Sequence, residues 1–282
     1  MAAVTAGLTR PGAVPVLGVR AGIAGTLRSE FTKIGSVRST YWSLVLLVVA
    51  GFAWTVADCL GTAHDWPHMA AQDKMGFDAT QASNTGLALL GQLVILVLGT
   101  LVLTSEYSTG MIRTSLTVMP RRAVFYWSKA AVFAAVSVVI ALATSVAVFL
   151  VGQSLLHSTG ESASLSQPGA LRAVLLTAFF VALSGAMAYG LGAIVRNTAG
   201  GITASFGLVF LLPQLAKALP TAWYIDVERW LPGGDLLPAV TSSQSQPLNP
   251  HMFSAWGEFA VFCGYPIVLL VIGALLFSRR DA

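Results

Sequence analysis

Apolar residues fall into six runs along the chain, 41–60, 85–104, 132–151, 173–195, 199–216 and 259–277, separated by shorter polar stretches. About 20 helical residues cover the roughly 30 Å of bilayer hydrocarbon, so each run predicts a membrane-spanning helix. The fifth has an open outer boundary, because Pro213 and Lys217 fall where it should end. Upstream the pattern changes: Ile23, Leu27, Phe31, Ile34 and Val37 recur at helical spacing while Arg28, Glu30, Lys33 and Ser36 take other faces. That predicts an amphipathic helix over 19–38, lying in the membrane interface and leading into the first span. Residues 1–18 read as a loose cytoplasmic tail, and 39–282 as an all-α, six-helix transmembrane domain with both chain ends inside.

The polar stretches differ in kind. Residues 61–84 are acidic and 152–170 are rich in Ser and Gly. Residues 217–258 combine Trp223, Tyr224, Trp230 and Trp256 with Pro220, Pro232, Pro238, Pro247 and Pro250. Aromatic anchors among helix breakers predict short helices that dip into the outer interface or re-enter it, with an ordinary extracellular loop as the other reading. Within the spans, small residues recur four apart, as in Ala141 and Ser145, or Ser184, Ala188 and Gly192. This spacing predicts close helix packing, within one subunit or between two.

Composition agrees with the pattern, and charge adds an orientation. The 282 residues are 55% apolar and only 10% charged, with a mean hydropathy of +0.75; soluble domains carry about 25% charged residues. With the amino terminus inside, twelve basic residues face three acidic ones on the inner side, a net +9. The outer side sets four basic residues against nine acidic ones, a net −5. The basic excess is the positive-inside pattern of a membrane protein, so it implies no nucleic-acid partner.

Catalytic chemistry is hard to find. His64, His68, His157 and His251 all fall in expected outer segments, and His64 and His68 lack a third ligand at convincing spacing, so no metal is expected. Ser184-Gly185 lies at membrane depth without a His or Lys to activate the hydroxyl. Spans two to five carry no carboxylate in their cores, which argues against an ion-coupled carrier. Lys33, Lys74, Lys129 and Lys217 follow Thr, Asp, Ser and Ala, whereas a phosphate-cradling loop needs Gly there. Any ATP hydrolysis is therefore expected on a separate polypeptide. Cys59 and Cys263 read as packing residues, with a disulfide as the alternative.

One inner stretch is elaborate: Ser105-Glu-Tyr-Ser-Thr-Gly-Met-Ile-Arg113, followed by Pro120-Arg-Arg122 and Lys129. Together with Leu27-Arg-Ser-Glu-Phe-Thr-Lys33 and Arg38-Ser-Thr-Tyr41 ahead of the first span, it resembles the permease subunit of ABC-2 type bacterial ABC transporters. The resemblance implies a permease in the bacterial plasma membrane, two ATPase subunits that bind ATP and Mg2+, and a second permease subunit. It implies that residues 105–123 form a coupling element, with Gly110 to Met119 as a helix docking in an ATPase groove and Pro120 bounding it. The site residues are then Glu106, Tyr107, Gly110, Met111, Ile112, Arg113, Leu116, Pro120, Arg121 and Arg122. Met111, Ile112, Leu116 and Val118 serve as apolar anchors, and Glu106 pairs with Arg113, Arg121 or Arg122. Substrate-binding residues are not identified. The competing functions are a non-transporting membrane module coupled to an ATPase, and an intramembrane enzyme.

Overall fold

Each apolar run lies inside a helix, and most of those helices outrun it. The computed structural model describes residues 38–118, 121–233, 236–244 and 253–279. In chain order, and leaving aside a short helix at Ala71–Met75, the helices are α1 (Arg38–Asp65), α2 (Ala79–Ser108), the short α3 (Met111–Val118), α4 (Arg122–Leu156), α5 (Ala170–Val195) and α6 (Thr198–Ala216). Two short helices follow, α7 (Thr221–Glu228) and α8 (Leu236–Thr241), and then α9 (Ala255–Arg279). Among the described residues six helices, α1, α2, α4, α5, α6 and α9, are long and apolar enough to cross a membrane. The amphipathic helix expected over 19–38 falls outside the described residues except at Arg38, where α1 begins.

Polar caps set two of the helix starts. The Asp78 carboxylate accepts from the backbone amides of Thr80 at 2.9 Å and Gln81 at 3.1 Å, so α2 begins before its apolar run does. The Asn197 side chain accepts from the Gly200 amide at 2.9 Å and starts α6. Each cap satisfies amides that the first helical turn leaves without a partner.

α5 is the central helix. Of its most apolar window 78% is buried within the chain, against 17% for α9 and 22% for α1, and it packs on α2, α4 and α9. Glycine makes this possible. A Cβ on Gly99 of α2 would overlap the Gly185 carbonyl of α5, and one on Gly190 would lie 2.7 Å from the Leu269 carbonyl carbon of α9. The row Ser184, Ala188 and Gly192 faces α2. Gln92 donates to the Ser184 hydroxyl at 3.0 Å, while Ala188 lies beside Gly99 and Gly192 beside Thr100. Ser184 also donates to the Phe180 carbonyl at 2.8 Å, so its hydroxyl is a helix-packing group.

Further polar bonds join the helices towards the other end. Thr55 donates to the Ser83 carbonyl at 2.8 Å, Gln153 to the Ser83 hydroxyl at 2.9 Å, and Ser145 to the Val174 carbonyl at 2.8 Å. Cys59 is buried and Cys263 half-buried, and both are free thiols.

The helix ends on the α3 side carry mostly basic residues, and those on the opposite side mostly acidic ones. At the acidic end, α8 is held by a clamp. Asp78 accepts from the Ser242 hydroxyl at 2.7 Å and the Ser243 amide at 2.8 Å. Arg172, near the start of α5, donates to the carbonyls of Ser242 at 3.1 Å and Ser243 at 3.2 Å. Leu236 and Val240 of α8 are buried, and Tyr265 of α9 donates to the Trp230 carbonyl. Among the described residues of the segment 217–258, α7 and α8 are the short helices ahead of α9.

The glycine contact gives the first prediction. Gly99→Ala should destabilise the purified chain by about 1–3 kcal/mol through overpacking. Gly61→Ala, where a Cβ meets nothing within 4 Å, should not. Thermal unfolding in one detergent compares them, and equal melting temperatures would contradict the assigned close approach.

Candidate functional site

The elaborate inner stretch becomes the end of α2, a tight turn, α3 and the start of α4. The turn is made at Thr109 and Gly110. The Gly110 amide donates to the Tyr107 carbonyl at 3.3 Å, and its φ of +70° is left-handed, a conformation glycine adopts at little cost. α3 follows at once. Within it, Thr114 and Thr117 donate to the carbonyls of Met111 at 2.8 Å and Thr114 at 2.7 Å, keeping these hydroxyls on their own helix.

The two apolar residues that open α3 face different ways. Ile112 is 3% exposed and belongs to the main core cluster, whereas Met111 is 51% exposed. Ile112 therefore seats α3 on its own chain, and Met111 is presented outward. Arg121 is exposed and Arg122 half-buried at the start of α4. The side chains of Arg113 and Leu116, and the whole of Pro120, lie outside the described residues.

Glu106 pairs with Lys129 of α4 at 2.7 Å, and both side chains are buried. The arginines expected as its partners lie nearer in sequence. However, α4 begins at Arg122, and about two turns of helix carry Lys129 alongside the last turns of α2. A charge at that depth is held only by a partner. The Lys129 ammonium also lies 5.6 Å from the Phe125 ring centre.

Around the pair stands a group of aromatic residues from four helices. Phe125 stacks on Phe277 of α9 at 6.1 Å, and Tyr107 meets Phe277 edge-on at 6.4 Å. The Arg196 guanidinium, just past α5, lies 5.4 Å from the Tyr107 ring centre. Tyr126 donates to the Leu270 carbonyl at 3.0 Å, and Tyr189 of α5 donates to the Tyr126 carbonyl at 2.9 Å. The base of α3 is thereby joined to α2, α4, α5 and α9. Lys129 stands in the sequence motif with no role assigned to it, and no motif points to Phe125, Tyr126, Tyr189, Arg196 or Phe277. One signal for Lys129 does exist: a lysine two turns into a spanning helix normally faces the bundle and pairs there.

This arrangement offers a surface and a mechanical connection. A family model described as ABC-2 family transporter protein matches residues 26–214, which takes in α1 to α5, most of α6 and the whole of α3. No curated protein matches the chain.

The facing of α3 predicts a difference between neighbours. Ile112→Ala should cost the chain itself about 2–5 kcal/mol, as truncation of a buried Ile does. Met111→Ala should fall within about 0.5 kcal/mol, as for surface positions. Melting of the purified chain without any partner checks this, and a larger loss at Met111 would reverse the assignment.

Proposed function

The chain belongs to the ABC-2 transporter family, and we propose that it is the membrane permease of an ATP-driven exporter in the bacterial plasma membrane. Hydrolysis of ATP with Mg2+ takes place on two copies of a separate ATPase subunit, and cargo moves between this chain and a second permease subunit. The basic end, with both chain ends, faces the cytoplasm. α3 docks on the ATPase, with Met111 outward and Ile112 holding the helix to its own bundle, and Arg121 and Arg122 flank the contact. The observation that carries this reading is α3 itself, a short helix with an exposed methionine, set between two spanning helices at the basic end.

Docking is tested by Met111→Asp. Loss of an anchor at an interface centre commonly costs more than ~2 kcal/mol, so the ATPase should no longer co-purify while the chain remains at normal membrane abundance. Undiminished co-purification would place the docking site elsewhere. An ATPase retained and stimulated without any cargo movement would favour the non-transporting module.

Orientation is tested by single cysteines. A membrane-impermeant thiol reagent applied to intact cells should label Asp73→Cys and leave Thr109→Cys untouched. External labelling at Thr109 would invert the topology and remove α3 from the reach of a cytoplasmic ATPase.

A further inference from the structure

The Glu106–Lys129 pair lies beyond the surface that docks. Both side chains are buried, so neither contacts a partner that approaches α3 from outside. The pair joins the last turns of α2 to the second turn of α4, and these are the helices that enter and leave the α3 segment. Between Glu106 and α3 stands the turn at Gly110, where the backbone is left-handed and the lack of a Cβ leaves the residue wide conformational freedom. A push on α3 alone would be taken up by bending at that turn. With the two helices tied together just beneath it, α3 has a closed base, and Ile112 seats it on the same core.

We propose that Lys129 is a positioning residue for coupling: by holding Glu106 it makes the ends of α2 and α4 move as one body when α3 is displaced. This rests on the docking role of α3 proposed above. Two features favour it over a purely stabilising role. Ion pairs removed from water are often no more stable than well-packed apolar residues of similar volume, so stability alone does not call for charges here. The pair also sits against the Phe125 and Phe277 stack, which leads from α4 to α9, so displacement of the tied base passes to a third spanning helix.

The test uses the full-length chain in membranes with its ATPase, comparing wild type, Lys129→Met, Glu106→Lys, and the exchange Glu106→Lys with Lys129→Glu. Three quantities are read at equal membrane abundance: retention of the ATPase, permease-dependent stimulation of ATP hydrolysis, and cargo movement. Lys129→Met should retain the ATPase and lose at least about tenfold in stimulation and cargo movement, the factor that about 1.4 kcal/mol of lost coupling produces. The exchange should recover a measurable part of both, which a loss of packing alone would not allow. If Lys129→Met accumulates poorly, the exchange compared with Glu106→Lys decides: coupling no better in the exchange overturns the proposal. Full stimulation by Lys129→Met overturns it as well. A wild-type chain that retains no ATPase would instead overturn the docking reading on which the proposal stands.

Discussion

In hydrocarbon a leucine gains little by leaving lipid for another leucine, so the bundle depends on how closely α2 can approach α5. Gly99 and Gly185 decide that distance, since a single methyl group on Gly99 would collide with the Gly185 carbonyl. At this separation the Gln92 amide reaches the Ser184 hydroxyl, and Thr100 lies against Gly192. The approach also fixes where the two ends of α2 fall. Asp78 at one end meets the segment after α8, which Arg172 holds from the other side, and Glu106 near the opposite end meets Lys129. α2 is thus held by charged or polar contacts at both ends and by glycine packing between them.

α6 and α2 each contain a π-helical turn, and each turn includes buried residues. Pro213 in α6 has no amide to donate, which leaves the carbonyl four residues earlier, that of Val209, without its usual helical partner. A wider π-helical turn over Gly207–Leu211 precedes the proline. Gly233 approaches the freed carbonyl so closely that a Cβ there would lie 2.6 Å from the Val209 oxygen. A second π-helical turn, Leu87–Gly91, interrupts α2 about two turns beyond its polar start. Leu87, Ala88 and Gly91 are buried there, and Val209 is buried in α6. Burial within protein is the condition under which irregular backbone is tolerated at membrane depth.

The spans were legible because their signal is cumulative: about twenty apolar residues in a row have few alternatives. The small-residue row at Ser184, Ala188 and Gly192 was legible for a similar reason, since periodicity names a face, although it does not name the helix opposite. Pairing across distance is what sequence could not supply. Glu106 has three arginines within sixteen positions, and only the rise of α4 from Arg122 shows that Lys129 arrives beside it. The direction of α3 was hidden too. Met111 and Ile112 are adjacent apolar residues, about 100° apart on a helix, and composition gives no reason to assign either one to the partner. Their burial separates them.

Energetics also explain why a buried pair can persist at the base of α3. Replacing both charges with apolar groups is often neutral or favourable by about 1–4 kcal/mol, whereas removing one and leaving the other costs about 3–5 kcal/mol. Loss of either partner alone would therefore leave the other as an uncompensated buried charge. An apolar filling would bind α2 to α4 through contacts that slide with little change in energy. An ammonium held 2.7 Å from a carboxylate resists displacement in a way that depends on distance and direction. That directional stiffness is what the proposed coupling role of Lys129 draws on.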